Sequence, residues 1–159
     1  MKTETDIREI REDKGSFLPL LLLADPSPEM VKRYLEKSFL FVGFENHAAV
    51  CCAAVLPLDE HTAEIKNLAV APAFRQRGWA GTMLRFIETR LRDFDTLILG
   101  TGTPGEGEPP FWQEEFYTRH GFRPYRQIKG FFTDHYPEPI YEDDGRICRD
   151  MIYLRKSLK

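Results

Sequence analysis

The 159 residues, 42% hydrophobic with twelve Phe, have the composition of one globular domain, long enough to bury a core without disulfides or metal. A net charge of −3 leaves no basic surplus to displace counterions, which excludes a general nucleic-acid coat, and the longest apolar block, FLPLLLLA, is too short to span a bilayer. Cys51, Cys52 and Cys148 match no zinc spacing and MKTETDIREIRED has no apolar h-region, so reduced thiols, no metal and a soluble cytoplasmic protein are expected.

In chain order, DIREIRE alternates and predicts a first strand. SFLPLLLLAD reads as a core-packed helix, with Pro19 leaving a strand open. DPSPEMVKRYLEKS predicts a second helix with Ser27 as N-cap and Pro28 at its first position. FLFVGFEN and HAAVCCAAVLPL form a hairpin with a polar turn around Asn46. TAEIKNLAV is the next strand, and Pro72 stops it. Residues 78–94 predict a helix with Met83, Leu84, Ile87 and Leu91 on one stripe.

DTLILG is short and continuously apolar, as a buried parallel strand would be. The loop GTGTPGEGEPP leads to the helix FWQEEFYTRH, capped by Gly121. PYRQIKGFF and CRDMIYLRK predict two last strands around an acidic loop, TDHYPEPIYEDDGR. The order β-α-α-β-β-β-α-β-α-β-β implies an α+β fold in a single domain over residues 1–159. Its centre is a mostly antiparallel twisted sheet of six to seven strands, with one parallel pair and helices on both faces.

The junction RQRGWAG, residues 75–81, carries the clearest chemistry. A helix N-terminus offers unpaired N–H groups and a partial positive charge, and a bend before it aims several N–H groups at one point. Gly78, Ala80 and Gly81 let a phosphate approach the backbone, and Arg75 and Arg77 add charge-assisted bonds. The same residues also fit an ordinary helix start with two solvated arginines. No P-loop string exists. GTGTPG, residues 100–105, has the spacing of a dinucleotide fingerprint, but Pro104 and EGEPP block the helix that must follow it.

The stretch AEIKNLAVAPAFRQRGWAGTML resembles the signature motif of the GNAT superfamily of acyl-CoA-dependent N-acyltransferases, in which R/Q-x-x-G-x-G/A opens a helix after a strand. Arg75, Gly78 and Ala80 match it, and FYTRHGF resembles the family's Y-x-x-x-G-F through Tyr117, Gly121 and Phe122. The resemblance covers roughly residues 30–157. It implies acetyl-CoA as co-substrate and often a homodimer. The backbone of Gln76, Arg77, Gly78, Trp79, Ala80 and Gly81 would hold the pyrophosphate. Leu68, Ala69 and Val70 would pair with the pantetheine arm, and two parallel strands would splay at Val70 and Gly100 to admit it. Where many members carry an asparagine seven residues before the tyrosine, this chain has Pro110, and Gln113 replaces the usual alanine; Thr101 or Thr103 is the substitute contact.

The implied reaction is direct attack of a neutral amine on the acetyl carbonyl. A lysine-like amine, with a pKa of about 10.4, must first lose a proton. Val70 N–H is the candidate oxyanion donor and Tyr117 the candidate acid for the thiolate. On pattern alone Tyr117 reads as a core aromatic, because Trp112 and Phe116 define an apolar stripe on its helix. Glu64 is the base candidate and equally a solvated strand position beside Thr62 and Lys66; His120 and His135 are weaker bases.

For the acceptor, Asp134, Tyr136 and Glu138 sit among Phe131, Phe132 and Tyr141, a mixture of acids and aromatic faces that suits a cationic small-molecule or peptide amine. Glu142, Asp143 and Asp144 read instead as a solvated turn. Two other readings stand beside the enzyme: a non-catalytic acyl-CoA-binding module that needs neither Tyr117 nor Glu64, and an NAD-linked oxidoreductase built on GTGTPG.

Overall fold

The computed structural model describes residues 6–159. The chain divides into two compact units: one runs to Leu97 and includes Leu158–Lys159, and the other is Ile98–Ser157. The strand order is β1-β2-β3-β4-β5-β7-β6, a seven-stranded mixed sheet in which β4 and β5 are the parallel neighbours.

In the first unit β1 (Ile7–Ile10), β2 (Phe39–Glu45), β3 (Ala48–Pro57) and β4 (Thr62–Val70) pair antiparallel in sequence order. Asn46 and His47 join β2 to β3 with φ of 50° and 67°, the two left-handed residues that a tight hairpin turn requires. Residues directly opposite in such a sheet share a face. One face carries Leu40, Val42, Cys52, Ala54 and Ala69, which pack on Leu20 and Leu21 of α1 (Leu18–Leu21) and on Val31 and Tyr34 of α2 (Pro28–Tyr34). Ser27 caps α2 as expected, its hydroxyl accepting from Met30 N–H at 3.2 Å.

The opposite face receives α3 (Trp79–Arg90), where Phe86 meets Phe41 edge-on with ring centroids 5.1 Å apart. Helices on both sides explain why β3 is continuously apolar instead of alternating. Trp79 lies over Gly43, where an added Cβ would stand 2.5 Å from the indole. Gly43→Ala should therefore cost about 1–3 kcal/mol of stability, read by thermal or urea melting. β4 contains a bulge: Ile65 stands opposite Val55 and Asn67 opposite Ala54, leaving Lys66 as an extra residue.

The second unit holds β5 (Thr96–Thr103) from Ile98 onward, α4 (Trp112–Arg119), β6 (Arg123–Ile128), α5 (Phe131–His135) and β7 (Asp150–Ser157), with β6 and β7 antiparallel. Four expectations are corrected here and in α3. Helix α3 ends at Arg90 and not at residue 94. β5 continues through GTGT, where Gly102 leaves no room for a Cβ beside Cys148 Sγ and Thr103 O accepts Arg149 N–H at 3.0 Å. The residues FF are not strand: Gly130, at φ 68°, ends the extended run and Phe131–His135 turns helical. Trp112 is 57% exposed and α4 buries none of its own residues, so the expected apolar stripe is absent; Phe111 and Phe122, 2% and 0% exposed, anchor the helix at its ends.

Among the described residues, no helix is long and apolar enough to cross a membrane.

Candidate active site

The peptide from β4 into α3 bends sharply. Val70 O accepts from Arg75 Nε at 3.2 Å, which folds the connection back on the strand end. Gln76 and Gly78 are left-handed, at φ 61° and 87°. Gly78 is the N-cap of α3, and no side chain caps the helix and no acidic residue stands in its first turn. The first intrahelical bond runs from Thr82 N–H to Gly78 O at 3.0 Å. The amides of Trp79, Ala80 and Gly81 therefore have no intrahelical acceptor. Arg75, Gln76, Arg77 and Gly78 around them are exposed.

On β4, Ala71 N–H donates to Val50 O at 2.8 Å while Cys51 faces Val70. That makes Val70 a non-hydrogen-bonded partner of β3, as is Leu68, so their N–H and C=O groups point away from β3. Ala69, between them, turns its backbone groups to Cys52 instead. The Trp79 side chain is core, 1% exposed; only its backbone belongs with the open amides.

Glu64 is buried at 9% exposure and is not the solvated position that the sequence left open. It faces Leu56, on the α1–α2 side, and Lys66 Nζ lies 3.4 Å from its Oε2. Close by in sequence, Asn67 Nδ2 donates to Leu21 O at 2.9 Å and to Tyr34 OH at 3.1 Å, while its Oδ1 is buried and meets no donor among the described residues. Burial raises the Tyr34 hydroxyl well above its usual range, against the Asn67 bond.

In the second unit Tyr117 is half-buried, its ring 5.3 Å from Phe116 and 5.8 Å from Phe122. Thr101 is half-buried in β5. His120 lies against Phe116, with ring centroids 4.6 Å apart. α5 brings an aromatic cluster together: Phe131 against His135 at 4.6 Å, and Phe132 stacked with Tyr136 at 5.5 Å. Asp134 and Glu138 are exposed beside it. The start of α5 is fixed by Asp150, whose carboxylate accepts from Gly130 N–H at 2.9 Å and Gln127 Nε2 at 3.0 Å.

The turn after it is only partly solvated. Asp144 binds Arg146, but Glu142 is half-buried and accepts from Gln113 Nε2 at 3.2 Å. Burial raises the Glu142 carboxyl, Gln113 opposes the rise, and Asp143 and Asp144 add to it. Cys51 and Cys148 are buried thiols pushed up to about 12 by desolvation, and Cys52 is higher still. Among the described residues no three His, Cys, Asp or Glu are grouped to hold a metal.

Sequence reasoning missed Glu45, Asn67, Gln113 as a partner of Glu142, and Asp150. Each acts on residues more than 19 positions away, so no local spacing marks it.

An uncapped helix after a bent strand end, in a sheet of this order, agrees with the fold that the resemblance of RQRGWAG and FYTRHGF implied. Residues 36–124 match the family model described as the acetyltransferase (GNAT) domain, and the chain belongs to that family. It is 30% identical over 149 residues, 92% of each chain, to YvbK of Bacillus subtilis strain 168, described as an uncharacterized N-acetyltransferase. It is similar to a solved GNAT family acetyltransferase from Elizabethkingia anophelis with acetyl-CoA bound, at 36% identity and TM-score 0.85, covering 95% of this chain and 96% of that one. A Bacillus subtilis acetyltransferase in complex with CoA aligns at 32% identity and TM-score 0.83, covering 96% and 98%.

Proposed function

We propose that the protein transfers the acetyl group of acetyl-CoA to the primary amine of a small cationic acceptor, by direct attack within a ternary complex. The observation that carries this reading is the start of α3, where three amides stand uncapped behind a left-handed Gly78 with exposed Arg75 and Arg77 beside them. Such a terminus is stabilised by an anion, and the pyrophosphate of CoA supplies one. The relatives solved with acetyl-CoA or CoA bound support the same donor.

The acceptor nitrogen adds to the thioester carbonyl, and Val70 N–H donates to the oxygen that becomes negative. Glu64 takes the ammonium proton, directly or through water. The C–S bond then breaks, and Tyr117 OH protonates the departing sulfur. A covalent acetyl-enzyme on cysteine is disfavoured, because all three thiols are buried and held protonated. Asp134 and Glu138, with the Tyr136 ring, attract the cationic acceptor.

The test is thiol release from acetyl-CoA over a panel of polyamines, aminoglycosides, peptide amines and neutral amines. Cationic amines should release thiol fastest, and Glu138→Gln should weaken their preference over neutral ones. Acetyl-CoA binding with no turnover of any amine would identify a non-catalytic acyl-CoA-binding module instead. NAD binding without CoA binding would overturn the donor assignment.

A further inference from the structure

Glu45 ends β2, yet its carboxylate meets two residues of the α3 junction, 34 and 32 positions further on. Oε1 accepts from Trp79 Nε1 at 2.8 Å, and Oε2 lies 3.4 Å from Arg77 Nη1. A carboxylate next to a site built for an anion opposes the ligand. Its geometry offsets that penalty in two ways.

The first concerns direction. Trp79 is the first residue of α3, fully buried, with its indole seated over Gly43. A charged acceptor on the one indole donor, combined with a ring that has no room to slide, fixes the residue from which the uncapped amides fan out. The second concerns charge. The Arg77 side chain is 51% exposed and its guanidinium carbon lies 5.1 Å from the Phe74 ring centroid. An exposed pair of this kind is weak and readily exchanged for a stronger anion.

We infer that Glu45 is the positioning residue of the donor cradle: its Oε1 fixes Trp79, and its Oε2 holds Arg77 in reserve and releases it to the diphosphate when the donor binds. This rests on residues 75–81 being the diphosphate site.

Calorimetric titration of acetyl-CoA into the wild-type protein, Glu45→Gln and Glu45→Ala separates the two. Glutamine keeps an acceptor for the indole and removes the opposing charge, so Glu45→Gln should bind as tightly as wild type or up to about threefold tighter. Alanine removes the acceptor, and Glu45→Ala should bind more than about threefold more weakly. A glutamate that only supported the fold would lower the melting temperature of Glu45→Ala and leave the Kd of its folded form unchanged. Looser binding by Glu45→Gln beyond about twofold, or a smaller change than stated in Glu45→Ala, overturns the inference while leaving the donor assignment intact. If wild type binds no acetyl-CoA, the assignment itself fails. Melting curves accompany each titration. Should Glu45→Ala not fold, Trp79→Phe, which keeps a ring over Gly43 and removes the indole donor to Glu45, takes its place. It should bind acetyl-CoA more than about threefold more weakly, an unchanged Kd overturning the inference.

Discussion

Tyr117→Phe should lower turnover by about 10²-fold, the usual worth of a positioned general acid, with the Kd for acetyl-CoA within about twofold of wild type. The packing reason is that the ring, not the hydroxyl, meets Phe116 and Phe122, and phenylalanine preserves both contacts. The chemical reason is that an unprotonated thiolate is the poorer leaving group from the tetrahedral adduct. Single-turnover rates with an acceptor found in the amine panel give the measurement. Unchanged turnover would remove Tyr117 from the reaction and leave its role as a packing residue of α4.

Trp79→Ala should remove about 3–5 kcal/mol of stability, at the upper end for a single core deletion. The residue is the largest fully buried side chain, and its loss empties the space above Gly43 and leaves Glu45 without its indole donor. For a chain of this size, a loss of that order lowers the melting temperature by about 10 °C or more. Acetyl-CoA should then rescue the variant less than it rescues wild type, because the cradle is disordered together with the core. A loss below about 1 kcal/mol would show that α3 keeps its position without the indole.

The elements legible in the sequence are those whose cause is local. Ser27 and Pro28 start α2, two left-handed residues make the β2–β3 turn, and Met83, Leu84 and Ile87 give α3 its buried stripe. The bend and uncapped helix start at residues 75–81 were readable for the same reason, since Arg75 through Gly81 are contiguous and a glycine at the N-cap has a direct conformational meaning. The end of the chain was not. Phe131 and Phe132 have strand-like composition, but Asp150, twenty residues from Gly130, accepts the Gly130 amide and Arg149 O takes the Phe132 amide, and those distant partners make α5 helical. Glu142 looked solvated because its neighbours are acidic; its burial depends on Gln113, twenty-nine residues away. Trp112 looked like core because hydrophobic spacing does not say whether a short helix is anchored by its face or, as here, by Phe111 and Phe122 at its ends.

The extra residue at Lys66 sets the parity of β4. On an uninterrupted strand Glu64 would be an even number of steps from Val70 and would share its side of the sheet; the bulge makes the count odd and turns Glu64 toward Leu56 and the helices α1 and α2. The sides are set by which residue is left out of the ladder, not by the identity of its side chain. Substitutions at Lys66 should therefore be mild, and deleting that one residue should leave Ala63, Glu64 and Ile65 on their present sides, because Ile65 opposite Val55 and Asn67 opposite Ala54 then become ordinary neighbours. Drawing Lys66 into the ladder opposite Val55 is what would turn the three over together and place a carboxylate against the α3 core. In this strand the side of the sheet on which the candidate base stands is carried by one unpaired residue two positions away, and not by anything in the base itself.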